Sequence, residues 1–262
     1  EITLESLVYG LMLRSGNDAS LSIANYVGGN VDNFINLMNE KAKEIGMKNS
    51  TFHNPNGLDE KGGNISTAYD MALLTSYAMK NETYRKIVST EEYKLKTNKN
   101  YYLWTNKHKL LGKYNYITGG KTGFTEVAKR TLVTTASKNN INLGVVTLND
   151  GNDFSDHIKL FEEAFNKYTN YQILKKGTIE IINEEYYKNS QFYIENDFSY
   201  SLENKPNNVI LNFKLEKKDN YKNKDLVGVV EVMINKKKVH EENIYICKKE
   251  DINFFTKIKN WI

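Results

Sequence analysis

"ITGGKTGFT", Ile117 to Thr125, decides how the rest of the chain is read. Its Gly-Gly-Lys-Thr core invites comparison with a phosphate-binding loop. Such a loop needs a glycine five residues before the Gly-Lys-Thr glycine, so that successive backbone N–H groups can wrap an anion. That position is Asn115, flanked by Tyr114, Tyr116 and Ile117, aromatic and β-branched residues that favour an extended chain. The stretch is therefore expected to be a strand. On it Lys121 and Gly123 face one way and Thr122 the other. Glycine in a strand admits another backbone closely, so the pattern predicts an extended peptide laid along it, its carboxylate gripped by ammonium and hydroxyls. The plain alternative is a surface hairpin with ordinary turn glycines.

Working outward, "RTLVTTASK" and "INLGVVTLND" meet around Lys138-Asn139-Asn140 and predict an antiparallel hairpin. "EEYKLKT" and "YYLWTN" upstream also alternate, and a helix from Phe154 to about Tyr168 would carry Ile158, Phe161, Ala164 and Phe165 on one stripe. The first part of the chain is helical in texture. Leu4, Leu7, Val8 and Leu11 follow helical spacing, and "SGNDAS" interrupts them, with Asn17 or Asp18 as the N-cap of a second helix holding Ile23, Ala24 and Val27. A third helix should turn Phe34, Ile35, Leu37, Met38, Ala42 and Ile45 inward and stop at Gly46. After a turn-rich loop, Asn54 to Asn64, Thr67 should cap a fourth helix through Met71, Leu74 and Ala78.

The expected fold class is α/β (α+β), with helices packed on an antiparallel sheet over residues 1–170. Residues 171–262 show only short alternating runs and read as a small all-β domain. The tail "DINFFTKIKNWI" returns to helical spacing with lysines opposite its apolar face. It fits a terminal helix docked on the β-domain, or a membrane-surface anchor.

Composition narrows the function classes. The 262 residues carry a formal charge of +4, with 26% charged residues of both signs. That is compatible with anionic envelope polymers and gives no argument for nucleic acid. A single cysteine and four scattered histidines predict no disulfide framework, no metal and no cofactor. No apolar run reaches the length of a membrane span. The opening at Glu1, without methionine, is read as a chain cut by processing or by design.

Ser15-Gly16-Asn17 lies at the break between the first two helices, about a hundred residues before Lys121-Thr122-Gly123. Ser-x-Asn and Lys-Thr-Gly in this order belong to the motif set of β-lactamases and penicillin-binding proteins. The longer stretches are more specific. "LESLVYGLMLRSGNDASLSIANYVGG", "NSTFHNPNGLDEKGGNISTAYDMALL" and "TGGKTGFTEVAKRTLVTTASKNNINLGVVTLNDGNDFSDH" resemble the D-alanyl-D-alanine carboxypeptidases, the serine-type low-molecular-weight penicillin-binding proteins. The β-rich remainder is similar to that family's accessory domain.

The resemblance implies a carboxypeptidase that removes the terminal D-Ala from peptidoglycan stem peptides through an acyl-enzyme, with β-lactams as inhibitors. It implies an extracytoplasmic place in the cell envelope, tethered to the outer face of the cytoplasmic membrane with peripheral contact through the C-terminus. By the same resemblance Ser15 relays a proton, Asn17 holds a substrate amide, and Lys121, Thr122, Gly123 and Thr125 form the carboxylate-binding strand. The N–H of Phe124 belongs to the oxyanion hole. Ser15 and Asn17 could instead only cap a helix, and Thr125 could be a turn residue. Asp59, Asp70 and Asp156 are read as structural and His157 as incidental. Some relatives carry a basic residue near the turn at residues 150–153 that helps bind the substrate carboxylate; here Asp150, Asn152 and Asp153 stand there, which leaves that role unassigned. The family's nucleophile motif, Ser-x-x-Lys, is missing, since no serine here is followed three positions later by lysine. The 262 residues alone are therefore expected to be inactive. A β-lactamase would need a deacylating glutamate, for which only Glu60 is at hand, and a non-catalytic envelope-binding protein is the alternative from another class.

Overall fold

The computed structural model describes residues 1–182, 185–187, 190–203, 209–217 and 219–248. The chain forms two compact units, Glu1–Asn166 and Lys167–Ile262.

The first unit opens with three helices, α1 (Leu4–Arg14), α2 (Asn17–Gly28) and α3 (Val31–Ile45). Thr3 caps α1, Asn30 caps α3, and left-handed Gly46 stops α3 as expected. The cap of α2 differs from expectation. Gly16 occupies that position without a side-chain bond, and Asn17 is the first helical residue. The apolar phase of α1 differs too. Its buried face is Ser6, Tyr9, Gly10 and Leu13, while Leu4 is exposed. The cause is aromatic: Tyr9 stacks on Tyr93 at 3.9 Å, and Trp104 joins that cluster. Val27 and Leu37, expected inward, are exposed.

Thr67 caps α4 (Ala68–Ala78) through the N–H of Asp70. The Asp70 carboxylate, almost fully buried, accepts from the Asn49 N–H and the Ser50 hydroxyl. A short helix that sequence spacing missed follows, α5 (Glu82–Val88). A two-stranded ribbon comes next, β1 (Glu92–Lys96) with β2 (Tyr101–Thr105). The central sheet has three antiparallel strands in the order β3 (Ile117–Thr125), β4 (Lys129–Lys138), β5 (Ile141–Leu148). Asn139 and Asn140, both at positive φ, make the two-residue turn of the expected hairpin. Helix α6 (Asp153–Lys167) lays Phe161 and Phe165 on Ala136 and Ile141 of that hairpin.

The second unit is built from strands. β6 (Tyr168–Leu174) pairs with β9 (Phe198–Glu203), neither of them picked out from the sequence. The other sheet has the order β10 (Val209–Leu215), β11 (Leu226–Ile234), β12 (Lys237–Lys248), β8 (Ser190–Ile194), β7 (Gly177–Ile179). Its core gathers Leu174, Phe192, Ile194, Val227, Val230, Val232, Ile244 and Ile246, so this unit has an apolar centre of its own. The tail from Asp251, with its two expected fates, lies outside the described residues.

Candidate active-site cleft

Ser15 closes α1 in a left-handed conformation, φ 60° and ψ 46°. Glycine is the usual occupant of such a position, and an L side chain there costs about 1–2 kcal/mol. The serine aims its hydroxyl at β3, where Lys121 Nζ donates to Ser15 Oγ at 2.5 Å. The same ammonium donates to the Thr122 carbonyl at 2.5 Å. Residues 106 positions apart thus meet. Burial, reinforced by the nearby charge of Lys107, pulls the Lys121 ammonium down to about 8.

The glycines beside Lys121 are crowded by the protein's own chain. A Cβ on Gly120 would lie 2.2 Å from the Val133 carbonyl oxygen and 2.7 Å from His108 Nε2. One on Gly123 would lie 2.3 Å from Thr131 Oγ1. The space they leave is filled by β4 and by the segment before β3, so it is the protein's own chain that approaches closely there. The opposite edge of β3 has no strand beside it among the described residues.

A cleft of about 850 Å³ opens over this point. Ser15, Asn17, Lys121, Thr122, Gly123, Phe124 and Thr125 all line it. Asn17 stands exposed at the first turn of α2, and Phe124 is exposed at the end of β3. Thr125 is already engaged: its hydroxyl donates to Asp59 Oδ1 at 3.0 Å and accepts from the Ala128 N–H at 2.9 Å. Asp59 therefore ties the turn-rich loop to the end of β3.

Several lining residues were not picked out from the sequence: Lys107, Lys109, Lys129, Arg130 and Phe154. Arg130 grips Asp153 through two bonds, of 2.6 and 3.2 Å. It is a basic group beside the turn where none was assigned, and its charge is already matched by a carboxylate. Spacing gives no hint of this, because Arg130 enters from β4 while Asp153 begins α6.

Behind β3 runs a buried polar chain. His108 Nε2 and His157 Nδ1 both meet Thr134 Oγ1, at 2.9 and 2.8 Å, and His157 Nε2 meets Thr147 Oγ1 at 3.0 Å. Nδ1 of His108 is buried without a partner. A buried lone pair is tolerated better than a buried N–H. His108 therefore donates from Nε2 to Thr134, Thr134 donates to His157 Nδ1, and His157 donates to Thr147. Burial first of all pushes both imidazoles down to about 4, so they are neutral at pH 7. His157, read as incidental, is fully buried and central to this chain.

Among the described residues no group of His, Cys, Asp and Glu could hold a metal ion. No helix there is long and apolar enough to cross a membrane.

Comparison with known proteins bears on the same region. The sequence pattern of the D-alanyl-D-alanine carboxypeptidase family matches residues 1–152. The chain is 34% identical to D-alanyl-D-alanine carboxypeptidase DacF of Bacillus subtilis over 183 residues, 68% of this chain and 46% of that protein. It is 34% identical to DacC of Escherichia coli over 173 residues, 63% of this chain and 41% of that protein. The chain thus spans about half the length of the curated relatives it matches. Among solved structures, a D-alanyl-D-alanine carboxypeptidase from Mycobacterium tuberculosis superposes with a TM-score of 0.59 at 30% identity, over 63% of this chain and 65% of that one. Penicillin binding protein 5 from Haemophilus influenzae shares the fold over 94% of this chain and 74% of its own, with a TM-score of 0.68 at 23% identity. With its first 152 residues matched and the Ser-Gly-Asn and Lys-Thr-Gly segments in contact, the chain belongs to the D-alanyl-D-alanine carboxypeptidase family.

Proposed function

We propose that this chain supplies the substrate-gripping wall of a serine-type D-Ala-D-Ala carboxypeptidase, whose nucleophile and activating lysine come from sequence outside these 262 residues. The observation that carries the reading is the 2.5 Å contact of Lys121 Nζ with Ser15 Oγ at the floor of the cleft. In this reading the nucleophile's oxygen attacks the carbonyl of the penultimate D-Ala, the terminal D-Ala leaves as an amine, and water releases the acyl group.

Each residue of the wall has a task set by its chemistry. Ser15 accepts from Lys121 and keeps its own proton free, so it can pass one proton to the leaving amine and take another. Lys121, at about 8, is still mostly protonated at pH 7 and attracts the terminal carboxylate, with the Thr122 hydroxyl beside it. The Phe124 N–H joins the oxyanion hole, a contribution of roughly 3 kcal/mol where such a donor is removed. Asn17, at the cleft mouth, holds a substrate amide, and the open edge of β3 holds extended peptide backbone. β-Lactams acylate the same nucleophile. The setting is extracytoplasmic, at the cell envelope, with a tether involving the C-terminal tail.

The 262-residue chain by itself should form no covalent adduct with benzylpenicillin and release no D-Ala, as measured by intact mass and amino-acid assay. An adduct on this chain would place a nucleophile within it and overturn the assignment. The missing Ser-x-x-Lys also favours a second reading, a non-catalytic envelope-binding protein on the same scaffold. That reading requires the full-length protein to resist acylation as well.

A further inference from the structure

Strand β10 forms one edge of the five-stranded sheet, and among the described residues no strand lies along its outer side. Such an edge presents a row of N–H and C=O groups without partners in the sheet. Along β10 they run beside exposed apolar side chains. Ile210 is 55% exposed, and Leu211 and Phe213 are each 36% exposed. The ladder with β11 sets Leu211 opposite Val232 and Phe213 opposite Val230, both fully buried. Leu211 and Phe213 therefore belong to the core side of the sheet. There they line a groove of about 570 Å³ with Ile181, Ile182 and Leu215. Ile210, Asn212 and Lys214 share the other face.

Edges are ordinarily guarded by charge, lysine above all. β10 has one charged residue, Lys214, and its ammonium is turned back over the sheet to Glu231 Oε1 at 2.8 Å. Lys238 approaches the same oxygen at 3.4 Å. The guard is thus already neutralised. The strand is also complementary to itself. An antiparallel pairing about a two-fold axis through Asn212 keeps all seven residues paired and both core faces on one side. Val209 then meets Leu215 of the second copy, and Leu211 meets its Phe213. Ile210 meets its Lys214, whose methylene stem covers apolar surface while the head stays with Glu231. No like charges stand opposite each other. Moving the axis by one residue in either direction leaves two residues of each strand without a partner.

We propose that β10 is a self-association edge, at which two copies of this chain pair antiparallel about Asn212. The pairing joins two five-stranded sheets into one, and Leu211 and Phe213 of the second copy close the groove beside Ile181 and Ile182. It is independent of the carboxypeptidase reading.

Sedimentation equilibrium of the full-length protein should show monomer and dimer with a dissociation constant of about 1–100 µM, as a small interface gives. Ile210→Lys sets a lysine opposite Lys214 at two symmetry-related places and should weaken association about tenfold. Ile210→Glu meets the same lysine with the opposite charge and should not weaken it. Asn212→Cys should link to itself under oxidation, because direct pairing on the axis brings two cysteines within disulfide reach. Ile210→Cys should not, since it lies about 13 Å from its own copy in this register. Peptide mapping separates such a link from one through Cys247. A protein still monomeric at about 100 µM overturns the proposal and leaves the edge to a strand of another protein. So does a dimer that ignores the sign of the charge at position 210, or one in which position 212 fails to link.

Discussion

Ser15 holds a conformation that glycine would occupy more cheaply. The fold needs a left-handed residue to end α1, and the proposed proton relay needs a hydroxyl against Lys121. The two demands separate in one substitution. Ser15→Gly should leave stability unchanged or raise it by up to about 1 kcal/mol, as read by urea unfolding. Acylation of the full-length protein by benzylpenicillin should slow by about a hundredfold or more, the range for a lost proton relay. A variant that acylates normally would remove Ser15 from the chemistry, and one that unfolds would make its role structural. At this scale the sequence was legible where chemistry comes as contiguous motifs: Ser-Gly-Asn and Lys-Thr-Gly marked both sides of the contact. The purpose of the glycines was not legible, because the atoms that crowd Gly120 and Gly123 belong to His108, Val133 and Thr131, residues that no local pattern connects to them.

Strand β3 is held from behind by the neutral chain His108, Thr134, His157 and Thr147. Thr134 pairs directly with Gly120 across the β3–β4 ladder, so the chain supports the strand that carries Lys121. Both histidines have folded-state values depressed to about 4 from an ordinary 6.5. Between those limits the unfolded chain binds more protons than the folded one. The stability they allow is thus present above pH 6.5 and is lost as pH falls toward 4. The free energy of unfolding should therefore decline over this window, by on the order of 3 kcal/mol for each histidine. His157→Gln, which keeps hydrogen bonding and cannot titrate, should decline less. Equal slopes for the two proteins would show that the pair does not control acid stability. Elements were legible in the sequence where one face alternates against one partner, as in the β4–β5 hairpin. They were misread where aromatic partners from elsewhere reset the phase. Tyr93 and Trp104 draw Tyr9 and Leu13 inward on α1 and leave Leu4 outside.

Across the whole molecule, the helical-and-sheet unit carries every residue of the cleft, and the strand-built unit has its own core. The cleft lining carries five cations against one carboxylate, a field that favours an anionic ligand. The family was legible from long stretches that set helix breaks, loop and strand in order. Lys107, Lys109 and Arg130 were not legible as partners, because they meet only after β4, the segment before β3 and α6 assemble around one opening. The proposed wall serves an acylating serine outside the 262 residues, and intact-mass and peptide-mapping spectrometry of the full gene product after incubation with benzylpenicillin tests this. One added penicillin mass, on a serine N-terminal to Ser15, is the predicted result. A folded full-length protein that takes up no adduct, or one labelled within residues 1–262, would contradict it.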